Sequence, residues 1–193
     1  MKSNHIVMKL AIVSTVSAVL AFTASDAFAA GSHGGGHGHS GASPIGKAGK
    51  AADVSRTINV KMHDNYYEPK QFNVKGGETI RFVIKNAGQF VHEFNIGTKD
   101  MHKAHDKEMM MMVEHGALEP DRINHDKMKM DMGRGMTMEH NDPNSVLLEP
   151  GKSAEIIWTF PKKVSTEMEF ACNVPGHYDS GMVGPVNFPK SAY

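Results

Sequence analysis

The segment FACNVPGHYDSGM, residues 170–182, holds the single cysteine of the chain, Cys172, with His177 after four intervening residues and Met182 after four more. Thiolate and thioether are soft donors that suit Cu(I), and imidazole suits both oxidation states of copper. Zinc accepts Cys and His but gains little from a methionine. Pro175-Gly176 is turn chemistry, so His177 and Met182 sit on a tight loop that can fold back toward the cysteine sulfur. A second imidazole would complete a trigonal His2Cys site with a weak axial thioether. His92, at the head of the segment HEFNI, is the natural candidate. The competing readings of Cys172 are a buried inert thiol or a bond to another chain, because one cysteine cannot pair within its own chain.

These ligands need a rigid frame, and the sequence supplies short strands. Ile58, Val60 and Met62 alternate with polar residues, as do Phe72 and Val74. Ile80, Phe82 and Ile84 give a third period-two run after the turn signal Gly76-Gly77, and His92, Phe94 and Ile96 continue it. Later, Ile156, Trp158 and Phe160 share one face, Met168, Phe170 and Cys172 another, and Val186 and Phe188 close the chain. Several short strands divided by Gly, Pro and Asn turns predict an all-β sandwich. Alternation then points Cys172 inward at the end of its strand, and a sandwich can bring the strand of His92 beside it.

On these residues the chain resembles the cupredoxins, the family of azurin, plastocyanin and rusticyanin, in which the Cys-x4-His-x4-Met spacing is seen among rusticyanin-like members. The likeness covers roughly residues 55–193 apart from one long interruption. It implies a Greek-key β-sandwich and a type 1 copper centre with His92, Cys172 and His177 as equatorial ligands and Met182 as the axial one. Glu93 departs from the pattern. Many members have Asn or Ser beside the first histidine, where the side chain helps tie the two ligand loops together. With a carboxylate there, the bonding around the ligands, and the potential and colour that it sets, do not carry over from the family.

The interruption, residues 97–144, is longer than structureless loops usually run in a compact domain. It holds ten of the fifteen methionines, together with His102, His105, His115, His125 and His140. Its first half, KDMHKAHDKEMMMMVEHG, predicts a helix with Thr98 or Asp100 as N-cap and Gly116 as terminator. Helical spacing aligns Met101, His105, Met109 and Met112 on one stripe, which would dock on the sandwich or offer ligands. The second half, DKMKMDMGRGMTMEH, alternates Met with charged residues and is poor core material. Met128, Met130, Met132, Met136 and Met138 on an extended segment would place thioethers on one side for Cu(I), with a solvated disordered loop as the rival reading. The two ligand sets are expected to be separate, so that removing residues 100–140 would leave the redox centre intact.

At the N-terminus, Lys2 and Lys9 precede the apolar run Leu10–Phe22, and Ala27 and Ala29 fit the small-residue cleavage rule. Residues 1–29 read as a secretory signal, which implies a periplasmic protein with no membrane attachment after cleavage. Residues 30–54, rich in Gly, Ser and His, are expected to form a flexible tail before the 55–193 domain. His33, His37 and His39 there could bind Cu(II) weakly. Cleavage after Ala30 would instead expose Gly31-Ser32-His33, whose amine, amide and imidazole nitrogens suit square-planar Cu(II).

Equal numbers of acidic and basic residues, 21 of each, point to no nucleic-acid partner. A His-rich leader with a Met/His-rich insertion resembles the CopI-type cupredoxins, periplasmic proteins associated with copper tolerance. That resemblance implies a copper-binding protein that takes up Cu(I) on methionines and oxidises it to Cu(II). The alternative is a plain single-electron carrier between periplasmic redox partners, working through the edge of His177. A multicopper oxidase would need many His-x-His pairs, and His37-Gly38-His39 is the only one. Stoichiometric Cu(I) oxidation stays open.

Overall fold

The computed structural model of the chain describes residues 43–133, 136–139 and 142–190, and for 130–133 and 136–139 the backbone alone. The alternating runs become two five-stranded sheets packed face to face. The first contains β1 (Lys47–Ala48), β2 (Arg56–His63), β3 (Tyr66–Glu68), β5 (Thr79–Asn86) and β10 (Ser153–Thr159), in the order β1-β10-β5-β2-β3. The second contains β4 (Phe72–Asn73), β6 (His92–Gly97), β9 (Ser145–Leu148), β11 (Met168–Ala171) and β12 (Val183–Asn187), in the order β4-β12-β11-β6-β9. β2 runs parallel to β5 and β4 parallel to β12, and the other pairs are antiparallel. Among the described residues no helix is long and apolar enough to cross a membrane.

Period two fills the space between the sheets with the expected side chains. Ile80, Phe82 and Ile84 of β5 face Phe94, Ile96 and Phe170 of the other sheet, all fully buried. The centre is aromatic: the rings of Phe72 and Phe170 stack at 4.1 Å, and Tyr67 meets Phe170 edge-on at 5.0 Å. Rings at these separations add attraction beyond their buried area. The Tyr67 hydroxyl donates to the carbonyl of Glu93 at 2.6 Å, which pins β6 beside the ligand-bearing end of the sandwich.

The chain joins the sandwich earlier than the composition of residues 30–54 suggests. Ile45 is buried, Trp158 Nε1 donates to its carbonyl at 2.8 Å, and β1 pairs with β10. A tail of Gly, Ser and Lys can still add a strand, because ladder hydrogen bonds need backbone and not side chains. Residues 1–42, with the expected signal and with His33, His37 and His39, lie outside the described residues.

β6 is buried along its whole length, so it is covered on both faces. The second cover is α1 (Lys99–Glu114), the first half of the interruption between β6 and β9. Thr98 caps it, with Oγ1 accepting from Met101 N at 3.3 Å. Gly116 ends it at φ +67°, a left-handed conformation that a side chain disfavours. The buried residues of α1 are His102, His105, Met109 and Met112. The expected stripe is therefore rotated. Met101 is 40% exposed, and His102 takes its place against the sheet. Met109 and Met112 pack with Val91, Ala117, Leu118 and Ile123 in a second apolar cluster. Burying a methionine is worth roughly 1.5–3 kcal/mol, so the two anchor the helix.

The second half of the interruption contains the hairpin β7 (Lys129–Gly133) and β8 (Met136–Glu139). Its register sets Met130 opposite Met138 and Gly133 opposite Met136. Met128, just before it, is half-buried against the second apolar cluster.

Candidate metal centre

The strand of His92 and the strand before Cys172 lie side by side, β6 pairing with β11 so that Asn95 opposes Ala171. Cys172 leaves the end of β11 pointing into the core. Its N–H donates to Met182 O at 3.1 Å, which closes the base of the loop. Inside that loop His177 N donates to Val174 O at 2.9 Å and Met182 N to His177 O at 3.0 Å. Gly176 at φ +84° and Gly181 at φ +97° supply the left-handed positions that so tight a return needs.

Three donor atoms converge. Cys172 Sγ lies 3.3 Å from His177 Nδ1 and 4.0 Å from His92 Nδ1, and the two Nδ1 atoms are 3.2 Å apart. Among the described residues this is the one group of three or more His, Cys, Asp or Glu side chains whose ligand atoms cluster in this way. Met182 is fully buried in the same core cluster as Cys172. His92 is also buried, whereas the edge of His177 is partly open to solvent.

The hydrogen bonds fix which nitrogen of His92 faces the centre. Its Nε2 lies 2.9 Å from Asp64 Oδ1, and a carboxylate only accepts, so Nε2 carries the proton and the Nδ1 lone pair faces Cys172. Burial raises the Asp64 carboxyl, but its hydrogen bonds to His92 and to the backbone of Gln89 and Phe90 together outweigh that and hold it below the ordinary value. Burial also lowers both imidazoles, His92 and His177, which keeps them neutral and able to ligate. The same burial pushes the Cys172 thiol far up. A thiolate in so apolar a place requires a cation beside it, and soft sulfur with two neutral imidazoles fits copper.

Glu93, the departure from the family pattern, takes over the linking role with a fully buried carboxylate. Its Oε2 accepts from Asn173 N at 3.1 Å and Asn173 Nδ2 at 2.7 Å, on the segment of Cys172. Its Oε1 accepts from Asn95 Nδ2 at 3.3 Å, from the Ser145 hydroxyl of β9, and from His105 Nε2 of α1 at 3.1 Å. The Glu93 N–H donates to Cys172 Sγ at 3.3 Å. One residue thus joins both ligand segments and the interruption.

Asp64, Glu93, Asn173 and His105 form the frame that linear reading did not assemble. Asp64 lies in the turn between β2 and β3, 28 positions from His92, and no spacing rule connects them. On its helical side the interruption is tied to the frame around Cys172. His105 bonds Glu93, and His102 Nδ1 accepts from Asn173 Nδ2 at 3.2 Å. Removing residues 100–140 would strip both from the ligand frame.

Comparison with known proteins agrees with this geometry. The Cupredoxin-like domain matches residues 39–136. The copper-resistant cuproprotein CopI of Pseudomonas aeruginosa is 51% identical over 145 residues, covering 72% of this chain and 79% of that protein. The copper-resistant cuproprotein CopI of Rubrivivax gelatinosus is 40% identical over 145 residues, covering 75% of this chain and 73% of that protein. Auracyanin B superposes with a TM-score of 0.52 at 17% identity, over 75% of this chain and 96% of that one, a likeness of fold. The chain belongs to the cupredoxins and, among them, to the CopI cuproproteins.

Proposed function

We propose that the protein is a periplasmic copper-binding cupredoxin of copper tolerance, in which His92, Cys172, His177 and Met182 would hold the copper ion. The observation that carries the reading is the meeting of Cys172 Sγ with two Nδ1 atoms, at 3.3 and 4.0 Å, inside a buried frame. Bound copper would supply one-electron exchange between Cu(I) and Cu(II). The protein's own residues do the rest. Asp64 holds the tautomer of His92, the Glu93 N–H donates to the sulfur, and the core excludes water from Cys172. The partly open edge of His177 offers the route by which an electron leaves for a redox partner.

Cu(I) is the cargo in this reading. Thioethers of Met128, Met130, Met132, Met136 and Met138 would capture it, and an oxidised partner protein would take up the one electron released when Cu(I) becomes Cu(II). His33, His37 and His39 bind the resulting Cu(II), and residues 1–29 direct export. Support for the cargo role is the pairing of Met130 with Met138 across the hairpin. The test is visible absorption and electron paramagnetic resonance of the purified mature protein titrated with Cu(II). An intense thiolate-to-copper band from the first equivalent, with ordinary Cu(II) signals from later ones, is expected. Ordinary signals alone would remove Cys172 from the ligand set.

A further inference from the structure

His105 is placed where a solvated helix residue would not be. It is 8% exposed, and each ring nitrogen meets a carboxylate: Nε2 at 3.1 Å from Glu93 Oε1 and Nδ1 at 2.8 Å from Glu108 Oε2. Carboxylates accept only, so both nitrogens carry protons and the ring is a cation. A fully buried carboxylate such as Glu93 is costly without a charge partner, and removal of one member of a buried pair leaves the other uncompensated. Glu93 in turn fixes the segment of Cys172 through both donors of Asn173, and its own N–H points at the sulfur. Donors to a ligand sulfur, and the groups that hold them, tune the electronics of the metal.

We infer that His105 is a positioning residue of the copper centre, an imidazolium that fixes the Glu93 carboxylate and so lets the insertion helix set the geometry around Cys172. The inference rests on the copper reading above. α1 is then part of the ligand frame, as well as a carrier of methionines. Two apolar contacts run along the same path, since Val91 and Val174, beside the two ligand segments, pack against the second cluster of Met109 and Met112. The helix therefore grips both ligand segments at once.

The experiment compares wild type with His105→Gln, His105→Lys, Glu93→Gln and the double variant Glu93→Gln/His105→Gln, with Met110→Ala on the exposed side of α1 as control. Copper-free protein is read by the backbone amide resonances of Glu93 and Asn173. Copper-loaded protein is read by the thiolate band and the reduction potential. His105→Gln is expected to shift both amides, the band and the potential, and Met110→Ala to shift none. His105→Lys, which keeps a cation, should fall between His105→Gln and wild type. The double variant should move no further than Glu93→Gln. A folded His105→Gln with wild-type amides, band and potential overturns the inference. If His105→Gln does not fold, His105→Lys decides, and amide shifts as large as those of Glu93→Gln overturn it. A wild-type protein without a thiolate band removes the copper reading and, with it, the positioning of a copper centre. A wild-type band unmoved by His105→Gln leaves the copper reading standing and removes only this one.

Discussion

Nε2 of His92 sits 2.9 Å from Asp64 Oδ1 while Nδ1 of the same ring faces Cys172 Sγ at 4.0 Å, so one side chain joins a turn of the first sheet to the donor cluster of the second. Asp64 also accepts from Gln89 N at 2.9 Å, which ties the turn to the segment leading into β6. Gly88 permits this approach. A Cβ there would meet both Asp64 Oδ1 and His92 Nε2, so any other residue would push the pair apart.

Asp64→Ala should free the His92 ring to adopt either tautomer. Loss of such a partner typically costs roughly 10–100-fold in metal affinity. Competition with a chelator of known Cu(II) affinity measures it, and an unchanged affinity would show that the ring is held by its packing alone.

Cys172→Ser should abolish the intense visible band, because an alkoxide oxygen is no substitute for a thiolate donor. Cys172 is fully buried in the apolar core, so the change also costs stability, on the order of 1–3 kcal/mol for a hydroxyl placed there. Thermal melts of the copper-free proteins separate that loss from the spectral one. A variant that stays intensely coloured would mean that the sulfur is not a ligand.

Substituting Met130, Met132, Met136 and Met138 together by Leu should lower the number of Cu(I) ions bound while leaving the thiolate band in place. Leucine has the bulk of methionine without the sulfur. This replaces a deletion of residues 100–140, which would also remove His102 and His105 from the ligand frame. Cu(I) counted with a chromogenic chelator reads the result, and an unchanged count would reduce these methionines to filler.

Burial pushes His105 down, but the charge of Glu93 and the bonds to Glu108 and Glu93 outweigh it and hold the group up at about 10. A raised histidine contributes stability that is complete below its unfolded value of about 6.5 and is lost as pH climbs through the folded one. Wild type should therefore lose stability between about pH 7 and pH 10, on the order of a few kcal/mol, relative to His105→Gln. Urea melts of both proteins across that range give the difference, and parallel curves would show that the pair is not ion-paired.

Much of the frame was legible because period two is enforced by geometry. A strand that buries one face must place Ile80, Phe82 and Ile84 together, whatever else the chain does. β6 was half legible: Phe94 and Ile96 follow the alternation, but Glu93 and Asn95 are buried too, since α1 covers the face that alternation assigns to water. For the helix the sequence determined the extent and the Gly116 stop, whereas the choice of Thr98 over Asp100 as cap and the rotation about the axis came with the tertiary structure. A stripe through Met101 fits the helix, but the sheet presents Asn173 to His102 and Glu93 to His105.

The approach of His177 to Cys172 was readable because a short loop with Pro175-Gly176 has few ways to close, and local spacing carries that information. Only the tertiary structure decided which remote groups complete the site. Asp64 reaches His92 across 28 positions, and Glu93 reaches Asn173 across 80, by way of strand pairing and sheet packing. Such partners leave no periodic trace in the chain. They are selected by charge balance inside a low-dielectric interior, where a buried carboxylate such as Glu93 must find its donors wherever the fold brings them.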